Sequence, residues 1–227
     1  MKFGVVVFPG SNCDHDMFFN LKTTLKQNVE FLWHKDTSLK KCDFIILPGG
    51  FSYGDYLRSG AIAQFSPIMK SVINHANNGG YVLGICNGFQ ILCECDLLPG
   101  TLLRNINQKF VCKNVFIKSS NSCLLTKKIN SKNPIQIPIA HAEGRYYTDA
   151  QTLKSLVSNK QIMFKYCDEN GEVNMEFNPN GSLKNIAGIC NKEKNVFGMM
   201  PHPERACDKN LSNLDGKLIF ESIFESF

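Results

Sequence analysis

No two of the ten cysteines in this 227-residue chain stand at a Cys-x-x-Cys spacing, so the usual cadence of a zinc site is missing. Cys93 and Cys95 fall in a predicted helix, where residues i and i+2 do not face each other, and no disulfide framework is expected. No apolar run approaches the roughly 20 residues that span a bilayer. Met1–Pro9 reads as a short strand and turn, without the length or small-residue cleavage site of a signal peptide. A cytoplasmic protein with no membrane contact is expected. Neither a Gly-x-x-x-x-Gly-Lys-Ser/Thr run nor a Gly-x-Gly-x-x-Gly run after a strand is present, which removes the common phosphate-binding loops. Arginine is scarce: Arg58, Arg104, Arg145 and Arg205 stand against 21 lysines. The lysines are scattered, so the net charge of +5 reads as a solvated surface rather than a nucleic-acid face. Where lysine is the default cation, a retained arginine points to a need for its planar fork.

What is present is ordinary for a globular protein: 43% hydrophobic and 20% charged residues, enough to bury a substantial core. Strands and helices alternate through the first hundred residues. Lys2–Phe8, Val29–His34, Phe44–Leu47 and Tyr81–Ile85 read as strands. Asp14–Gln27, Ala61–Ala76 (kinked or broken at Pro67) and Gly88–Cys95 read as helices. Short apolar strands between helices imply a parallel sheet covered on both faces. After Pro99-Gly100 the pattern turns to strands at Phe110–Lys118, Ile135–Ala140, Gln161–Cys167, Ile186–Asn191 and Val196–Met199, with turns at Asn170-Gly171 and Asn180-Gly181. A helix from about Asp149 to Leu156 interrupts them, and Asp215–Phe227 is an amphipathic helix. With no linker or repeat, the expectation is one mixed α/β domain over 1–227, with ligands at the carboxyl ends of the strands.

The most chemical segment is Gly84-Ile85-Cys86-Asn87-Gly88, with a strand before it and a helix after. Gly-x-Cys-x-Gly at a strand-to-helix turn is the pattern of a nucleophile elbow, and the helix N-terminus favours an anion there. The alternative is a buried structural cysteine. A nucleophilic thiol needs a base, and the base an orienting group. Of five histidines, His202 is the best placed: it follows a strand, and in Pro201-His202-Pro203-Glu204 an extended chain would turn His202 and Glu204 to one side. A proline-rich structural turn remains open for that stretch. Gly49-Gly50, after another strand, offers unshielded N–H groups for an oxyanion, with the Asn87 N–H as second donor, against the plainer reading of a tight turn. Cys13 competes as nucleophile, but it lacks the flanking glycines, and Asp14 beside it disfavours a thiolate. Cys42, Cys93, Cys112, Cys167 and Cys190 lie in apolar segments, as small hydrophobes do.

Four runs together resemble the class I (triad) glutamine amidotransferases, whose fold is flavodoxin-like: Phe8–Asp14, Leu47–Arg58, Gly84–Gln90 and Met199–Arg205. Ser11-Asn12-Cys13-Asp14 and Gly50-Phe51-Ser52-Tyr53-Gly54-Asp55 are the more specific, and are similar to the glutaminase subunits of purine biosynthesis. The resemblance implies a mostly parallel central sheet flanked by helices. It implies that Cys86 attacks the side-chain amide of glutamine, that Gly50 and Asn87 hold the oxyanion, and that His202 with Glu204 handles protons. Gln90, Gly49, His141 and Gly144 are implied to line the glutamine pocket, although Ala142 stands where the class usually has glycine. The implied partners are a large synthetase subunit, which would use the ATP and Mg and aminate formylglycinamide ribonucleotide, and a small bridging subunit; no cofactor is implied in this chain. Arg58, Arg205 and the Phe51–Tyr56 loop are the expected docking surface or its link to the active site. A stand-alone cysteine hydrolase or peptidase, the glutaminase of a different amidotransferase, and a silent scaffold are the competing readings.

Overall fold

A computed structural model describes residues 1–225. In chain order the strands are β1 (Lys2–Val7), β2 (Asn28–Trp33), β3 (Phe44–Leu47), β4 (Tyr81–Ile85), β5 (Thr101–Leu103), β6 (Val111–Ser119), β7 (Ile135–His141), β8 (Arg145–Tyr147), β9 (Ile162–Cys167), β10 (Ile186–Cys190) and β11 (Val196–Met199). The α-helices are α1 (Asp14–Phe19), α2 (Pro67–Asn77), α3 (Asn87–Glu94), α4 (Ala150–Ser158) and α5 (Lys217–Phe224). Contacts group the chain into two compact units, one of residues 1–98 with 195–198, the other of 99–194 with the chain from 199 onward.

In the first unit the strand order is β2-β1-β3-β4-β11. β1 pairs parallel with β2 and β3, and β3 parallel with β4. Such strands must be apolar on both faces, and Phe44, Ile45, Ile46 and Leu47 of β3 are all fully buried. The Leu47–Gly84 register sets the turn after β3 beside the turn after β4. α3 packs on β3 and β4, and its Phe89, Ile91 and Leu92 are each fully buried.

The second unit carries strands β10-β9-β6-β7, all paired antiparallel, and a two-stranded ribbon of β5 and β8. The change in strand pattern after Pro99 is therefore a change from parallel to antiparallel pairing. In β7, Ile135, Ile137 and Ile139 are buried while the residues between are partly exposed, the alternation of a sheet with one covered face.

Three local differences from the sequence reading have physical causes. The helix expected over Asp14–Gln27 leaves α geometry at Asn20 for a π-type turn over Asn20–Thr24, where the Leu25 N–H reaches back to Asn20 O at 2.8 Å. The two β-branched threonines there, Thr23 and Thr24, are poor helix formers. Of the kink or break expected at Pro67 the structure shows the break, and the part before it is not α-helical: Ser66 is extended (ψ 140°) and Pro67 starts α2, the first-turn place where proline costs nothing. β5 and β8, three residues each, were missed because so short a run shows no periodicity. Residues 226 and 227 of the expected C-terminal helix lie outside the described residues; within the rest, α5 covers Lys217–Phe224.

The tightest contact in the first unit is glycine on backbone. A Cβ at Gly88 would overlap the carbonyl oxygen of Leu47, which cannot move without losing β3. Gly88→Ala should therefore cost about 3 kcal/mol or prevent folding, as overpacked cores do. Gly79→Ala is the control: φ is +84° with nothing within 4 Å, and only the left-handed backbone penalty of about 1 kcal/mol applies. Urea unfolding of both variants measures the difference.

Candidate active site

Cys86 sits between β4 and α3 with φ +50° and ψ −105°, a conformation a non-glycine residue adopts only when its surroundings impose it. The Gln90 N–H donates to Cys86 O at 3.1 Å, so the helix begins directly on the nucleophile's carbonyl. The side chain is buried, with the α3 N-terminus behind it. This is the strand-turn-helix elbow that the Gly-x-Cys-x-Gly spacing predicts.

Beside it the turn after β3 carries Gly49 and Gly50. Gly50 has φ +123°, and a Cβ there would stand 2.6 Å from the Asn12 backbone nitrogen. That crowding comes from the turn after β1: the Cys13 N–H donates to Gly49 O (3.4 Å), the Phe51 N–H to Gly10 O (2.9 Å) and the Tyr53 N–H to Pro9 O (2.6 Å). The runs Phe8–Asp14 and Leu47–Arg58, which contain the two most specific stretches, are thus two turns bonded to each other. Cys13 takes part in this junction through its backbone N–H, as the residue preceding α1.

The Asn87 side chain binds both neighbours. Its Oδ1 accepts from the Ser52 N–H (3.1 Å), and its Nδ2 donates to Asp55 Oδ1 (3.1 Å) and Gln90 Oε1 (2.9 Å). Cys86, Gly49, Gly50, Asn87 and Gln90 therefore share one edge of the first unit. Tyr53 anchors the loop farther out, its hydroxyl bonded to His34 Nδ1 (2.7 Å) and Ser66 Oγ (2.8 Å). Burial lowers the His34 pKa, with Lys35 acting in the same direction. These Asp55 and Tyr53 contacts went unread in the sequence, because loop residues show no periodicity and only the Ser-Tyr-Gly-Asp run hinted at them.

In the second unit, His202 and Glu204 converge: Nδ1 to Oε1 is 2.7 Å, and each residue is 1% exposed. A carboxylate at Nδ1 sets the tautomer and makes Nε2 the basic nitrogen of the ring. The His202 N–H donates to Pro138 O at 2.8 Å, tying the pair to β7. The route to this convergence differs from the expectation of an extended stretch. Pro203–Arg205 is a single 3-10 turn with Pro203 at its first position and His202 preceding it. Proline's fixed φ suits such a turn as well as an extended strand.

His141 and Gly144 also meet there. The His141 Nδ1 lies 3.1 Å from Asn105 Oδ1, which also accepts the Gly144 N–H at 3.0 Å. Asn180 Nδ2 lies 3.5 Å from His141 Nε2 and donates to Gly144 O at 2.8 Å. A Cβ at Gly144 would overlap the imidazole. Ala142, the departure from the usual glycine, faces Asn105 through its carbonyl, which accepts the Asn105 N–H at 2.8 Å. Asn105 and Asn180, both fully buried, carry no sequence signal beyond their asparagine.

All ten cysteines are thiols. Burial pushes Cys167 up to about 11 and Cys95 and Cys190 up to about 12, and raises Cys42, Cys93, Cys123 and Cys207 as well. Such thiols stay protonated and inert, as small hydrophobes should. Cys112 departs from that reading: it lies on β6 but is exposed. Of the arginines, Arg58 uses its fork, Nε to Glu94 Oε1 at 2.7 Å and Nη2 to Oε2, and that pairing raises its pKa.

A cysteine elbow at the carboxyl edge of a parallel α/β sheet is the framework of the class I glutamine amidotransferases. The chain belongs to the CobB/CobQ-like glutamine amidotransferase domain family, whose model matches residues 1–218. It is 55% identical over 226 residues to the phosphoribosylformylglycinamidine synthase subunit PurQ of Moorella thermoacetica, covering 99% of this chain and 96% of that protein. It is likewise 55% identical over 222 residues to the subunit of the same name from Synechocystis, covering 97% and 99%. Among solved structures, a chain of PurLQS from Thermotoga maritima aligns with a TM-score of 0.85 at 38% identity, over 99% of this chain and 98% of that one. A glutamine amidotransferase from the same organism, 14% identical with a TM-score of 0.56, shares the fold.

His141 supplies a pH test. Burial, reinforced by the charge of His202, lowers its pKa from 6.5 to about 4. The unfolded chain therefore takes up a proton at His141 from pH 6.5 downward while the folded chain does not. Its neutral form contributes about 3 kcal/mol above pH 6.5, and that is lost as pH falls from 6.5 toward 4. Urea midpoints over this window should drop more steeply in the parent than in His141→Gln.

Proposed function

We propose that this chain is the glutaminase subunit of a phosphoribosylformylglycinamidine synthase, with Cys86, His202 and Glu204 as its catalytic residues. The Cys86 thiol gives its proton to His202 as its sulfur attacks the side-chain carbonyl carbon of glutamine, and the oxygen's charge rests on the N–H groups of Gly50 and Asn87. The C–N bond breaks as the leaving nitrogen takes a proton from His202 and departs as ammonia. Water, giving its proton to His202, then cleaves the γ-glutamyl thioester to glutamate and restores the thiol. Gly49, Gln90, His141 and Gly144 hold glutamine. The chain works as one amidotransferase domain in the cytoplasm; a family model that spans 1–218 supports the single domain.

The observation that carries this is Cys86, held at φ +50° at the head of α3 with the Gly49-Gly50 turn beside it. An electrophilic glutamine analogue should label Cys86, and Cys86→Ala should lower glutamate release by more than about 10³-fold. Labelling at Cys13 alone, or none with the synthetase present, overturns the proposal. Turnover of peptides or esters without preference for glutamine would favour a general cysteine hydrolase instead.

The ammonia passes to a large synthetase subunit, which uses ATP and Mg to aminate formylglycinamide ribonucleotide, with a small third subunit bridging the two. The relatives' names and the PurLQS assembly of the Thermotoga neighbour support that assignment. For docking, the structure changes which residue to test. Arg58 is engaged by Glu94, so reversing its charge would also disturb α3. Leu57, 89% exposed beside Tyr56 at 74%, is the cleaner probe. Leu57→Glu should weaken association with the synthetase at least about tenfold by calorimetry; unchanged affinity removes this loop from the interface.

A further inference from the structure

The geometry points to the side chain of Asn87 as the positioning residue of the oxyanion site: it ties the helix behind Cys86 to the loop after Gly50, so that the two N–H donors are held as one unit. The inference rests on the glutaminase reading above and concerns the amide side chain, not the Asn87 N–H that the reading already uses.

Asn87 is 1% exposed, and its amide is fully employed. The Ser52 N–H can only donate and the Asp55 carboxylate can only accept. The amide orientation is therefore fixed, with Oδ1 toward Ser52 (3.1 Å) and Nδ2 toward Asp55 Oδ1 (3.1 Å) and Gln90 Oε1 (2.9 Å). No other short side chain offers one acceptor and two donors from this Cβ. Aspartate would set a second carboxylate against Asp55, and alanine would leave the Ser52 N–H, itself on a buried residue, without its acceptor.

The loop that Asn87 holds does not hold itself. Tyr53 (φ +54°), Gly54 (φ +67°), Asp55 (φ +53°) and Leu57 (φ +69°) are all left-handed, three of them with side chains that disfavour it. Phe51, Tyr56 and Leu57 are exposed and supply little packing. A strained segment with few apolar contacts keeps one shape through specific bonds, and two of these come from one amide. The third bond reaches Gln90, one turn along α3, and turns its carbonyl oxygen toward Asn87. An oxyanion donor displaced by a fraction of an ångström fails in the transition state while substrate still binds.

The test is a double-mutant cycle of Asn87→Ala and Asp55→Ala, assayed as full-length protein with and without the synthetase, with Cys86→Ala in parallel. Asn87→Ala should lower kcat about 10²-fold with KM within about threefold, and Asp55→Ala should lower kcat about tenfold. The double variant should be no worse than Asn87→Ala, because the two side chains act as a unit. Asn87→Asp should fail as badly, and Asn87→Asp/Asp55→Asn, which exchanges amide and carboxylate, should recover most of the lost kcat. Asp55 is itself only half-buried, on a largely exposed loop, so its variant keeps the fold should those at Asn87 lose it. The inference is overturned if Asn87→Ala keeps kcat within about threefold, if the losses multiply, if the exchange restores nothing, or if the loss falls on KM alone. Glutamate release by Cys86→Ala would sink the underlying glutaminase reading; an inactive Cys86→Ala beside an unimpaired Asn87→Ala would sink only this inference.

Discussion

The first unit is organised around a backbone contact with no room in it: the first turn of α3 pressed against the carbonyl end of β3, with Gly88 over Leu47. Because α3 cannot lift away from β3, the chain must leave β4 and enter the helix within one residue. That residue, Cys86, takes a left-handed φ to do so. The strain is sustained by the packing around it, with Phe89, Ile91 and Leu92 of α3 fully buried. A reactive thiol at the head of a helix is thus a consequence of how closely a helix and a strand approach.

The same approach explains why loops, rather than regular elements, supply the remaining groups of that edge. Parallel pairing of β1, β3 and β4 brings their carboxyl ends to one side, and the turns that follow must fit over one another. They do so through backbone bonds from Cys13 to Gly49 and from Phe51 to Gly10. The outer part of the loop uses side chains instead, Asn87 at one place and Tyr53 at another. Such a surface is stiff where backbone meets backbone and dependent on single side chains where it does not.

The second unit solves a different problem, the burial of polar groups. His141, His202, Glu204, Asn105 and Asn180 are each at most 3% exposed, a heavy polar load for an interior. It is tolerable because the groups bond one another: Asn105 serves His141 and Gly144, Asn180 serves Gly144, and Glu204 serves His202. Burial, reinforced by the charge of His202, holds His141 neutral.

Composition, periodicity and spacing were enough to find β3, β4 and β11 to the residue, the Cys86 elbow, and His202 with Glu204 as neighbours. Each of these is local: an apolar run bounded by glycine or proline, or two residues two positions apart. The π-type turn after α1 and the ribbon of β5 and β8 depend on packing partners far along the chain, which leave no period behind. The same is true of the asparagines. Asn87, Asn105 and Asn180 look alike in sequence, and only tertiary structure gives each its donors and acceptors. Sequence determined where the thiol and the imidazole stand; the fold decided which side chains hold the backbone around them, because a hydrogen bond between distant residues has no signature until both are in place.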